Sequence, residues 1–304
     1  QADAVIQTAA VDEAGTILRQ IPNQMLPRAG HITLSATTGS LAPQPVVVAL
    51  SPANTQTGVG RNAVIMAKFS QPLNPSTVTA SSFTVTSGVT LAGTRTLSAS
   101  ERGPNTVVTF TPSALLPATS SVTVAITSGI QNTFGEPLLL TSLSTANFST
   151  GAGSDTVAPS VLEVNPPNGV IAVGTNNVIT AEFSEPINAT TLTTMTFTAS
   201  AGGVPVNGRV KVLSGPRGPN TQAVFIPDQF LGGTITYTIG ITAGITDTAG
   251  HPLAAPFASS FDTGSGIDNF QPSVVSVSPR QGETGVPLNT KVTVRFSEPM
   301  NPLT

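Results

Sequence analysis

Between Val64 and Phe69 apolar and polar side chains alternate, and the alternation returns twice further along the chain. Ile65, Ile179 and Val292 share one position of the repeat, Ala67, Ala181 and Val294 the next inward one, and Phe69, Phe183 and Phe296 the third. Lys68, Glu182 and Arg295 stand between them. A period of two with one apolar side predicts a strand buried on one face. A charge that changes sign from copy to copy predicts that the other face is solvated and has no specific role. Val122, Val124 and Ile126 alternate likewise and match Tyr237, Ile239 and Ile241.

Each copy of the first strand runs into one signature. It reads Phe69-Ser70-Gln71-Pro72-Leu73-Asn74, then Phe183-Ser184-Glu185-Pro186-Ile187-Asn188, then Phe296-Ser297-Glu298-Pro299-Met300-Asn301. The intervals, 114 and 113 residues, are those of a domain rather than a solenoid turn. Punctuation repeats with them. Arg102-Gly103-Pro104-Asn105-Thr106 returns as Arg217-Gly218-Pro219-Asn220-Thr221, a turn expected just before Val107 to Phe110 and Gln222 to Phe225. Gly129 to Leu138 matches Gly244 to Leu253, and Ala146 to Gly151 matches Ser260 to Gly264. About seven short strands in roughly 100 residues, with regular turn signals, is the pattern of an immunoglobulin-like sandwich. The expected fold is therefore all-β: tandem immunoglobulin-like β-sandwich domains, two complete and a third incomplete at the C-terminus.

The expected partition is an N-terminal segment 1–44, a first domain 45–151, a linker 152–158, a second domain 159–264, a linker 265–271, and the first strands of a third domain at 272–304. Residues 32–39 resemble the closing strand of a repeat, so segment 1–44 reads as the end of a preceding domain or a donor-strand-like extension. Residues 4–21 fit short strands or a helix equally well. The short linkers predict a string of domains with limited bending.

The pattern Pro-x-Val, Pro-x-(Asn/Gly), Phe-Ser-Glu-Pro-(Met/Ile)-Asn and then Asp247-Thr248-Ala249-Gly250-His251-Pro252-Leu253 resembles the bacterial Ig-like domain found in S-layer proteins of the SbsA/SbsB type, over about residues 45–304. The resemblance implies a tandem extracellular module of surface layers, adhesins, large secreted proteins or appendages. The first copy departs from it at Gln71, where Glu is usual, and at Asn132-Thr133-Phe134-Gly135.

Composition narrows the function. Aromatic residues are 5 % of the chain and charged residues 9 %, with 39 % hydrophobic residues to build cores. A net charge of −3 with three lysines, Lys68, Lys211 and Lys291, leaves no basic face for nucleic acid or anionic lipid. No apolar run approaches the roughly 18–20 residues of a membrane span. Without cysteine there is no disulfide, thiolate catalysis or Cys-based zinc site.

No residue is assigned here as catalytic, cofactor-binding or metal-binding, and the chain is expected not to be an enzyme. His31 and His251 are the only histidines and fall at unrelated places in the repeat. Structural calcium is the one cofactor considered, since Glu185 and Glu298 offer hard oxygen donors near a loop, and the resemblance extends to S-layer proteins in which calcium stiffens such domains. The simpler alternative is that Glu-Pro ends a strand, because proline cannot donate to the ladder; Gln71 at the same position favours it. Asp247-Thr248-Ala249-Gly250 likewise reads as an Asx turn with glycine at positive φ before it reads as a metal loop. Arg-Gly-Pro-Asn is turn chemistry rather than an adhesive tip, and Asn188-Ala189-Thr190 is a lone glycosylation sequon.

The third copy raises its own expectation. Val275, Val277, Val292, Val294 and Phe296 would have no covering sheet within the chain, forfeiting about 1.5–3 kcal/mol each. Either the sequence is part of a longer repeat protein, or strands of another subunit, such as its residues 1–39, complete the domain and propagate a fibre. The first is favoured, because residues 272–304 plus such a segment fall short of a full repeat. The expected function is a non-enzymatic extracellular structural protein of a bacterial cell surface, a scaffold of a surface layer, stalk or filament. Its expected partners are other copies of itself, as a homo-oligomer or polymer, or other cell-surface proteins. The alternatives are an adhesin, or spacer domains of a larger secreted enzyme; the scarcity of aromatic residues speaks against a carbohydrate-stacking platform.

Overall fold

The structure, a computed structural model, describes residues 43–298, 300 and 301, together with the backbone of 5–11 and 17–25. Within segment 1–44, strands β1 (Val5–Val11) and β2 (Ile17–Met25) pair antiparallel, so the choice between strands and a helix falls to strands there. The expectation for residues 32–39 lies outside the described residues.

Domain 1 is a sandwich of two four-stranded antiparallel sheets. One contains β3 (Val47–Ser51), β4 (Ile65–Phe69), β7 (Gly93–Ser100) and β8 (Gly103–Pro112), in the order β3-β4-β8-β7. The other contains β5 (Phe83–Ser87), β6 (Val89–Thr90), β9 (Ser121–Ile126) and β10 (Thr145–Ser149), in the order β10-β9-β5-β6. Domain 2 repeats this with β11 (Val161–Asn165), β12 (Ile179–Phe183), β15 (Gly208–Gly215) and β16 (Gly218–Pro227) in one sheet, ordered β11-β12-β16-β15. Its second sheet is β13 (Phe197–Ala201), β14 (Val204–Pro205), β17 (Thr236–Ile241) and β18 (Phe257–Asp262), ordered β14-β13-β17-β18. The third copy contributes β19 (Val274–Ser278) and β20 (Thr293–Phe296), paired antiparallel. All three copies carry a cis X-Pro bond at the same place, before Pro52, Pro166 and Pro279.

The cores follow the alternation. In domain 1 Ile65, Ala67 and Phe69 of β4 meet Val122, Val124 and Ile126 of β9 in one buried cluster, and each is at most 2 % exposed. In domain 2 Ile179, Ala181 and Phe183 meet Tyr237, Ile239 and Ile241 in the same way. Phe110 and Phe225 fill matching positions, and a glycine at the start of the neighbouring edge strand makes room for each. A Cβ at Gly93 would stand 2.5 Å from the Phe110 ring, and one at Gly208 2.7 Å from that of Phe225. In the third copy Val275, Val277, Val292, Val294 and Phe296 are all at least 40 % exposed.

One expectation fails. Lys68 and Glu182 are only 3 % and 8 % exposed, so the face opposite the core is not solvated at these positions. Each is covered by the hairpin that follows and paired there: Lys68 Nζ lies 3.2 Å from Glu101 Oε1, and Glu182 Oε1 lies 3.3 Å from Arg217 Nε. The sign does not vary freely, because the partner's sign changes with it. Burial outweighs the Glu101 charge and pushes the Lys68 ammonium below its ordinary pKa.

Candidate functional site

Three segments of the repeat meet where the linker after domain 1 reaches domain 2. The first is the turn that opens at Asp247, whose side chain is 1 % exposed. Its Oδ1 accepts the N–H groups of Ala249, Gly250 and His251 at 2.8, 2.6 and 2.9 Å, and Gly250 takes the expected positive φ of 95°. This is the Asx turn that the sequence predicts, but its second oxygen is also engaged: Oδ2 lies 2.7 Å from His251 Nδ1.

The second segment is the linker. Asp155 donates its N–H to Asn62 Oδ1 at 2.7 Å, and Asn62 Nδ2 donates to the Asp155 carbonyl at 2.9 Å. The approach is so close that a Cβ at Gly60 would stand 2.6 Å from Asp155 Cβ. The same clamp holds the next linker: Asn176 and Asp268 exchange both bonds at 2.9 Å, beside Gly174. An asparagine paired with backbone fixes the chain's direction as well as its position, because both the donor and the acceptor must align.

Glu185, in the loop that ends β12, is the third contributor. Burial, then the charges of Asp155 and Asp247, raise its carboxyl to a pKa of about 7, with His251 partly offsetting them. Its Oε1 is buried and has no hydrogen-bond partner, and the same is true of Glu298 Oε1. The hydrogen bond to Asp247 raises the His251 pKa despite some desolvation, and the charges of Asp155 and Glu185 act in the same direction. One ligand atom from each of Asp155, Asp247 and His251 lies within 4.8 Å of the others. With Glu185 beside them, these are the residues that could hold a divalent cation. Carboxylate oxygens suit calcium, and the imidazole serves better as the partner that orients Asp247.

Domain 1 carries a version of this arrangement with amides in place of two of its carboxylates, and with Glu136 where His251 stands. Gln71 stands in place of Glu185 and Asn132 in place of Asp247. Asn132 Oδ1 accepts from Phe134 and Glu136, both at 2.9 Å, so the turn is kept. Asn132 Nδ2 donates to Gln71 Oε1 and to the Pro43 carbonyl, and Gln71 Nε2 also donates to that carbonyl. Two amides satisfy each other where two carboxylates repel. The sequence shows both exchanges, yet only the fold reveals that they are one concerted change. Asp155 and Asn62 were missed in the sequence; their recurrence as Asp268 and Asn176 was the available signal.

The remaining candidates separate. Arg102 and Arg217 lie in the hairpin turns, as expected, while the Gly-Pro-Asn that follows already opens β8 and β16, with Asn105 and Asn220 at φ 53° and 59°. The carbonyls of Asn105 and Asn220 accept the N–H of Leu73 and Ile187, tying each hairpin to the loop beside it. The Asn188 sequon is buried: the residue is 1 % exposed, and its Nδ2 points at Met66 Sδ of domain 1 at 3.0 Å, leaving no room for a glycan in this fold. Together with the Val64 N–H bond to the Thr248 carbonyl at 3.1 Å, that contact seats domain 2 on domain 1. His31 lies outside the described residues.

A family model described as the bacterial Ig-like domain matches residues 42–150, 155–263 and 268–304. No curated protein matches the sequence. Among solved structures, the N-terminal part of the bacterial S-layer protein SbsC is 14 % identical at a TM-score of 0.28, over 72 % of this chain and 44 % of that one. CopC from Methylosinus trichosporium OB3b is 10 % identical at 0.26, over 37 % of this chain and 99 % of that one. An L,D-transpeptidase, LdtMt1, in complex with imipenem is 16 % identical at 0.26, over 57 % and 66 %. The chain spans less than half the length of the N-terminal part of SbsC and about a quarter of a longer SbsC structure. Among the described residues no helix is long and apolar enough to cross a membrane.

Proposed function

Because the chain belongs to the bacterial Ig-like domain family, we propose that it is a non-enzymatic structural protein of a bacterial cell surface, a tandem scaffold that holds its neighbours at a set spacing. The observation that carries this reading is the pinned joint. The linker is clamped to domain 1 through Asn62 and Asp155, and domain 2 bears on domain 1 through Asn188 and Thr248. A joint of this kind transmits length and direction, which a surface layer, stalk or filament needs and an enzyme's flexible spacer does not. Extracellular placement, an S-layer type of assembly, and partnership with other copies as a homo-oligomer or polymer belong to the same reading.

Structural calcium belongs to it as well. The cation would sit among Asp155, Glu185 and Asp247, joining the linker to domain 2 and neutralising carboxylates that otherwise repel across the joint. Thermal melting of the whole chain with calcium and with chelator tests this. A ligand at 100 times its Kd stabilises by about 2.7 kcal/mol, so the transition of domain 2 should rise by several degrees in calcium. The double variant Glu185→Gln, Asp247→Asn, which copies domain 1, should lose the response. Equal melting with calcium and with chelator would remove calcium and leave a joint held by the Asn62 clamp alone.

A further inference from the structure

Beside the joint, on the far side of domain 1's sheet, the two domains enclose a cleft of about 490 Å³, within the size range of small-molecule sites. Its walls carry Lys68, Arg102, Arg209 and Lys211 against a single carboxylate, Glu101. Four of the chain's 12 lysines and arginines thus line one cleft of a protein whose net charge is −3. Glu101 is already engaged by Lys68 at 3.2 Å. Arg209 has only a distant exposed partner, Asp228 at 4.0 Å, and Lys211 has no ion pair among the described residues. The cleft therefore keeps a positive excess between walls of low dielectric, which focus its field on what enters.

Asn220 lines the cleft and is 8 % exposed, but its Nδ2 is covered by the protein and donates to nothing, so it is not a donor to what enters. The rest of the lining mixes aliphatic side chains, Val48, Leu143 and Leu192 among them, with Asn54, Thr145, Thr193 and Thr194, and has no aromatic ring on which a sugar could stack.

We propose that this cleft binds a small aliphatic anion, with Lys211 and Arg209 meeting its acidic group and Val48, Leu143 and Leu192 taking its chain. The acidic group is a carboxylate or a phosphate ester, since both present the oxygen acceptors that these donors require. The site is independent of the scaffold reading: it needs the two domains in contact but neither calcium nor self-assembly.

The test titrates the whole chain with octanoate and octyl phosphate by heteronuclear NMR, with octanol and glucuronate as the uncharged and the non-aliphatic controls. Saturable shifts at 208–212 together with 143–146 are expected for at least one of the two anions, and whichever binds tighter identifies the acidic group. Octanol and glucuronate should bind at least tenfold more weakly. Lys211→Glu and Arg209→Glu should each weaken binding about tenfold, the scale of one charge-assisted hydrogen bond, whereas Lys291→Glu in the third copy should not. Four results would overturn the site: no saturable shift at the cleft, octanol matching the anions, glucuronate exceeding them, or Lys291→Glu weakening binding as much as Lys211→Glu.

Discussion

Asn62→Ala isolates the clamp. The side chain makes two bonds to one linker residue, accepting from the Asp155 N–H at 2.7 Å and donating to its carbonyl at 2.9 Å. At about 0.5–1.5 kcal/mol net for each, their loss lowers the free energy that holds the linker to domain 1 by about 1–3 kcal/mol. Backbone amide exchange reads this directly, because exchange from a locally opened state scales with the opening equilibrium. With about 1.4 kcal/mol per factor of ten, the Asp155 amide should exchange roughly 5- to 150-fold faster in the variant. The Asp268 amide, held by Asn176 in the same way, is the internal control and should not change. Asn176→Ala should give the converse. An unchanged Asp155 amide, or equal acceleration at both aspartates, would refute the clamp, the second because it signals general loosening.

Gly174→Ala puts a Cβ 2.5 Å from that of Asp268; faster exchange at Asp268 is expected, and no change would mean that the linker does not pass so close. Phe225→Ala removes a ring that is 1 % exposed and packs 6.1 Å from Phe197. It should cost about 3–5 kcal/mol in denaturant melts, confined to domain 2; loss of domain 1 as well would contradict separate cores. Glu101→Gln strands the buried Lys68 ammonium, whereas Lys68→Met leaves Glu101 half-buried and able to reach water. The first should therefore destabilise domain 1 more in the same melts, and the reverse order would show that the pair is not buried as described. In chelator, melting temperature should fall as pH rises from about 4.5 through about 7. Glu185 has a folded pKa raised above its unfolded value, so its protonated form favours the fold and its ionisation opposes it. The raised His251 acts in the same direction, its contribution fading as pH passes its folded pKa. A flat or rising profile contradicts both.

The sandwich was legible because its cores are written locally. Alternation at 65, 67 and 69 needs no knowledge of partners, and three registered copies fix which side faces in. The outer side was not legible from one strand. Lys68 is buried by a hairpin some 30 residues later, and nothing near it in sequence announces Glu101. The information was present in the comparison of copies, since Lys68 with Glu101 becomes Glu182 with Arg217. The joint follows the same logic. Gln71 read alone made Glu185 look dispensable; paired with Asn132 it shows a whole site exchanged at once. The lone sequon at Asn188 gives no sign in the sequence that the surface of the preceding domain covers it.

The central claim, that the two domains form one stiff unit, is tested most directly by a distance between them. The chain has no cysteine, so Val89→Cys and Val204→Cys, at equivalent positions each 69 % exposed, accept one spin label per domain without competition. Pulsed electron spin resonance in calcium should then give a single narrow distance distribution that broadens in the Asn62→Ala background. A broad distribution in the otherwise unaltered chain, unchanged by Asn62→Ala, would contradict the account.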